Sequence, residues 1–183
     1  ISPENFSCSS IAWSPGGKLV FYTSSRENGS QIYSVDIETN SEQMVTNIKQ
    51  GVIGAAKVSP DGKYIAFASS RDVPPLDTTK PYRLTRANYR DNAIGYIGEN
   101  TPDVYILDLE TKQLKQLTDD RFTNIPISWT IDSKKILLNR SGNPDSNLAR
   151  PSIEIIDLDG NMKTLISEVD WKYIIATCWL QDG

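Results

Sequence analysis

No histidine occurs among the 183 residues of the chain. The commonest general base and the commonest metal ligand are therefore both missing. Two cysteines, Cys8 and Cys178, are too few for a thiolate zinc cluster. Paired carboxylates exist at Asp119-Asp120 and at Asp157 with Asp159. Asp119-Asp120 follows a strand end and reads as a solvated turn. Asp36, Asp108 and Asp157 recur at one position of a repeat, which points to a hydrogen bond with neighbouring backbone rather than to catalysis. No Gly-rich loop precedes a helix, so no phosphate cradle is indicated. One stretch has chemical character: Tyr82, Arg83, Arg86, Tyr89 and Arg90. Guanidinium groups grip carboxylates through paired donors. Arg83, Arg86, Tyr89 and Arg90 are accordingly the candidate contacts for a peptide terminus or an adjoining domain. The competing reading is a solvated loop whose arginines pair with Asp72, Asp77 and Asp91. No catalytic residue, cofactor site or metal site is expected.

The elements that would carry these residues are read from a repeated turn. Val58-Ser59-Pro60-Asp61-Gly62-Lys63 joins two strands: Pro60 presets φ, and Gly62 supplies a positive φ. Lys63 to Ser70 then runs back, rich in β-branched and aromatic residues. The pattern recurs from Trp13, from Trp129 and, at the end, from Trp179. A second anchor, such as Tyr105-Ile106-Leu107-Asp108, and a third, such as Leu117-Thr118, follow in fixed order. An all-strand repeat of roughly 40–50 residues predicts propeller blades.

The expected fold is therefore all-β, a partial β-propeller forming one domain section over 1–183. Blade one is placed at 7–46 and blade two at 54–118, with an insertion at 72–101. Blade three is placed at 124–166, and the first strand of a fourth blade in 173–183. The insertion is polar and broken by prolines, so an extended surface loop is expected. Trp13, Trp129 and Trp179 are expected between blades, and Arg71 in an ion pair. Cys8 and Cys178 fall in blades that should not touch, so two buried, unbridged thiols are expected. Propellers close with about four to eight blades. The chain is thus expected to be a section of a longer protein, with a tendency to self-associate when isolated.

The Ser-Pro-Asp-Gly-Lys turn at Ser59–Lys63, followed by Ile65-Ala66-Phe67 and Ser69-Ser70-Arg71, resembles the repeat of TolB-like and prolyl oligopeptidase-type propellers. A narrower stretch, Tyr89 to Thr118, is similar to the N-terminal propeller of acylaminoacyl-peptidase-like serine peptidases. It departs from that pattern at Asn92 and Ala93. The resemblance implies a propeller that gates short peptide substrates for a C-terminal α/β-hydrolase domain. In that reading the parent is a serine hydrolase of acylaminoacyl- or dipeptidyl-peptidase type. The chain itself has no Gly-x-Ser-x-Gly elbow and no histidine, so it would do no chemistry. The rival is a non-enzymatic TolB-like propeller that binds protein partners.

Net charge is −4 with mixed signs, which excludes the basic footprint of a nucleic-acid binder. No apolar run is long enough for a membrane span. Unbridged thiols suit a cytoplasmic location, with a periplasmic or secreted one left open.

Overall fold

A computed structural model of the chain describes residues 7–73, 77, 79–81, 83–87, 89–91, 95–96, 98–145, 150–167 and 169. The first sheet is built in chain order from β1 (Ser7–Trp13), β2 (Leu19–Arg26), β3 (Gly29–Asp36) and β4 (Glu42–Met44). The second begins with β5 (Ile53–Val58) and β6 (Tyr64–Ser70). A separate two-stranded ladder, β7 (Arg90–Asp91) with β8 (Gly95–Tyr96), intervenes. The second sheet then resumes with β9 (Pro102–Asp108) and β10 (Leu114–Gln116). The third holds β11 (Thr123–Trp129), β12 (Lys135–Ser141), β13 (Ser152–Asp157) and β14 (Met162–Ile166). Every pairing is antiparallel. The first strands adjoin, β5 lying against both β1 and β11. Three four-stranded sheets adjoining by their first strands are blades of a β-propeller.

Each repeated sequence anchor has a bonding role. In the turns, the Ser59 hydroxyl accepts the Tyr64 N–H at 2.9 Å and donates to Asp61 at 2.6 Å. Thr130 does the same with Lys135 and Asp132. Gly62 sits at φ 73°. Ser133 takes that place in the third blade at φ 58°, so the turn survives the loss of glycine. Its hydroxyl also accepts the Asp61 N–H at 3.0 Å, which ties two blades together. The second anchor ends in a carboxylate that caps its own turn. Asp36 accepts the N–H groups of Glu38 and Thr39, Asp108 those of Glu110 and Thr111, and Asp157 those of Asp159 and Asn161.

In the first two blades the third anchor ends in threonine for a similar reason, whereas in the third it ends in Ile166. Thr46 Oγ1 accepts the Ile32 N–H and donates to Gln31; Thr118 Oγ1 accepts the Val104 N–H and donates to Asp103. A buried hydroxyl with both functions met stitches the outer strand to its neighbour without an orphaned group.

The core lies between sheets. Phe21 and Ile32 of the first meet Ile65 and Phe67 of the second. Ala66, Val104 and Ile106 of the second meet Trp129, Ile136 and Leu138 of the third. Sheets with both faces covered read as near-continuous apolar runs, as 64–68 does here.

Several expectations need correction. Cys8 is exposed, not buried, and its thiol lies 3.7 Å from the Ser24 hydroxyl. Trp13 is 59% exposed, whereas Trp129 is buried. The insertion holds the β7–β8 ladder and one buried arginine, so it is not simply an extended surface loop. Cys178, Trp179 and the proposed fourth blade lie outside the described residues. Among the described residues no helix is long and apolar enough to cross a membrane.

Candidate functional site

Two surfaces carry functional character, at opposite ends of the blades. The first strands end, and the second strands begin, at the repeated turns; the insertion leaves from the far end of β6.

At the turn end the first strands enclose a groove of about 320 Å³. Ile11 and Trp13 of β1, Ala56 of β5, Pro60 and Trp129 line it. Trp129 is fixed: its indole N–H donates to the Lys57 carbonyl at 2.8 Å, and its ring stacks on Tyr64. Trp13 occupies the same repeat position, but it belongs to the first described blade and has no preceding blade among the described residues. Its ring and Ile11, 73% exposed, present apolar surface to the groove. Trp13 and Ile11 thus form an exposed apolar pair beside the groove.

At the other end the insertion is anchored by Arg86. Its guanidinium is buried and donates to three backbone carbonyls, those of Gly98, Arg121 and Gly142. Burial without a carboxylate in direct contact pushes its pKa down. Ala87 donates its N–H to the Pro144 carbonyl at 2.6 Å. Glu99 accepts from Arg121 at 3.1 Å and from Thr85 at 2.6 Å, and those two bonds hold its carboxyl below the usual range. The insertion of the second blade is thus clasped to the third.

Arg83, Tyr89 and Arg90 lie on the exposed side of the stretch, so burial separates Arg86 from the other three candidates. Tyr82 lies outside the described residues. Two of the three aspartates named for that loop have lysine partners. Asp72 is held by Lys49 and Asp77 by Lys80.

Beneath the insertion sits an ionic layer that only partly announces itself in sequence. Asp103 is fully buried and accepts from Arg71 at 2.8 Å, Thr118 at 2.8 Å and Gln116 at 3.3 Å. Arg71 reaches Asp119 as well, at 2.9 Å. Asp120 accepts from Arg140 and Asn124. Asp119-Asp120 is therefore a pairing site for arginines rather than merely a solvated turn. Arg71 was legible as an ion-pair partner; Asp103 was not, because it sits at a strand start that Gln31 fills in the first blade.

The turn carboxylates are engaged by N–H groups of their own turns. A general base works best with a pKa near neutrality. The turn carboxylates are instead pushed low. Bonds from Thr39 lower Asp36, bonds from Thr111 lower Asp108, and the Asn161 side chain lowers Asp157. Among the described residues no group of three or more Cys, Asp or Glu is placed to hold a metal ion.

Comparison with known proteins fits this architecture. No family model matches the chain. The Tol-Pal system protein TolB of Francisella tularensis is 29% identical over 107 residues, 58% of this chain. The chain spans 19% of the length of that relative. TolB from Acinetobacter baumannii superposes with a TM-score of 0.59 at 24% identity, covering 87% of this chain and 32% of that one. The acylaminoacyl peptidase of Pyrococcus horikoshii gives 0.63 at 20% identity, covering 89% and 25%. The chain is a partial β-propeller with TolB-like repeats. Propellers of this kind thus occur both in TolB and within peptidases.

Proposed function

We propose that this propeller section is a non-catalytic module that holds polypeptide at the groove between its first strands. The observation that carries the reading is the exposed pair Trp13 and Ile11 beside that groove, in a layer where the equivalent Trp129 is sealed. Aromatic side chains that lose water on contact supply much of the energy of recognition.

In its fuller form the module gates and positions short peptides for a C-terminal α/β-hydrolase domain of a serine peptidase. The likeness to acylaminoacyl peptidase supports this form. Residues 1–183 would then be part of one propeller domain, with a fourth blade beginning in 173–183. Arg83, Tyr89 and Arg90 would face the neighbouring domain or the peptide terminus, and Arg86 would shape the loop that presents them. A cytoplasmic setting suits the exposed Cys8 thiol. The second reading is a propeller that binds protein partners, favoured by the sequence match to TolB.

The discriminating experiment uses the full-length gene product beside the 183-residue chain. The peptidase form predicts turnover of acyl-peptide chromogenic substrates by the full protein, blocked by a serine-directed phosphonate, and none by the chain alone. Turnover by the purified chain, constant through several columns, would overturn the non-catalytic reading. An inert full protein without a nucleophile elbow leaves the partner-binding form standing.

A further inference from the structure

The repeat lets one junction between blades be compared with the next. At the junction of the second and third sheets the outer rim is closed. Lys115 Nζ donates to the Leu158 carbonyl at 2.6 Å. Leu117 is buried in the apolar cluster against which Leu158 and Met162 pack. Gly160, at φ 94°, admits the Leu117 carbonyl to within 3.4 Å of where a Cβ would stand.

The same junction between the first and second sheets is built from different residues. Gln43 stands where Lys115 does, one bond shorter and uncharged. Lys112, at φ 59°, replaces Gly160. Leu114, 47% exposed, replaces Met162. The result is an open groove of about 380 Å³, lined by Val45, Ile48, Leu107 and Leu114 with Lys112 at its margin. That is within the usual size range of ligand sites, roughly 300–1,000 Å³. Lys112 is the one charged residue of the lining. The Asp108 carboxylate close to it is already engaged by the N–H groups of Glu110 and Thr111.

The backbone beside the groove is also available. β4 is the outermost strand of its sheet. The bonds from Asp36 N–H to Ser41 and from Val45 N–H to Ile32 fix the alternation along it. The N–H and C=O groups of Glu42 and Met44 consequently point away from β3, toward the open edge. An extended chain laid along such an edge gains main-chain bonds, while alternate side chains enter the same groove.

We propose that this inter-blade groove binds an extended peptide that adds to the β4 edge, seats an aliphatic side chain among Val45, Ile48, Leu107 and Leu114, and pairs an acidic side chain two residues away with Lys112. The inference is independent of the reading of the first-strand groove, and neither depends on the other's outcome.

The test uses the whole 183-residue chain and fluorescein-labelled peptides in anisotropy titrations. The probe is Thr-Leu-Thr-Asp-Thr-amide with fluorescein joined to its N-terminus through a glycine spacer. Replacing its Leu by Ala should weaken binding by about tenfold or more. Replacing its Asp by Lys should weaken it by about threefold. Leu114→Asp should abolish binding of the probe, with circular dichroism confirming the fold. Lys112→Glu should invert the preference, so that the Lys peptide binds better than the Asp peptide. Gln43→Lys, which copies the closed junction, should also reduce binding. The proposal is overturned if the probe does not bind at any soluble concentration. It is equally overturned if binding survives unchanged in both Leu114→Asp and Lys112→Glu.

Discussion

Arg86 shows how far one residue's role depends on where it is held. Its side chain is buried and serves the carbonyls of Gly98, Arg121 and Gly142. Arg86→Ala strands those acceptors, and each buried unsatisfied group costs about 1–3 kcal/mol. A loss of roughly 2–3 kcal/mol is expected in urea unfolding. Arg83→Ala, on the exposed side of the same stretch, should stay within about 0.5 kcal/mol of the parent. Equal effects in the two variants would contradict the clasp described for the insertion. Asp103 is the heavier case. It is fully buried and answers Arg71, so Asp103→Ala leaves a part-buried guanidinium without its best partner. A cost of about 3–5 kcal/mol follows. A double variant that also replaces Arg71 with methionine should recover part of it.

The turns and strand ends repeat a bonding scheme from blade to blade. Asp36, Asp108 and Asp157 have pKa values lowered by bonds to neighbouring N–H groups and, for Asp157, first by the Asn161 side chain. A folded-state pKa below the unfolded one means that the stability these groups add is present above the unfolded value, about 4. It is lost as pH falls through the folded values. Thermal midpoints should therefore be flat from pH 7 to about 5 and fall below about 4. Asp108→Asn should flatten that acid limb slightly; an unchanged slope would remove Asp108 from the explanation. The threonine brackets act by hydrogen bonding, Thr46 with Gln31 and Thr118 with Asp103. Thr118→Val removes a hydroxyl that serves both the Val104 N–H and Asp103, so it should destabilise by about 1–3 kcal/mol. Denaturant midpoints at pH 5 and 8 would check this.

At the scale of the whole molecule, the blades differ in how well they are covered. Trp129 is sealed by the second blade, while Trp13 and Ile11 present apolar surface beside the first-strand groove. The isolated chain is expected to self-associate through that surface, and Trp13→Ala should lower the apparent mass in light scattering at high concentration. A monomer of 20.4 kDa at every concentration would count against this.

The sequence alone determined the repeat, because local devices carry it. A positive-φ turn, a carboxylate two to four residues before the N–H groups it caps, and alternating apolar strands all act within a few residues. That is why an all-β fold of three four-stranded sheets was legible. What only the tertiary structure decided is coverage. The pattern of Trp13 and Trp129 is the same, but one is exposed and the other sealed, since burial depends on the neighbouring blade. Arg86 looks like Arg83 in the sequence, yet it is buried by a loop that returns from Gly142, far along the chain. The groove beside Lys112 likewise exists because residues of two blades, 43 and 45 with 112 and 114, fail to close a gap that their counterparts close. No local pattern encodes that, since each half is an ordinary repeat and only their juxtaposition leaves the space.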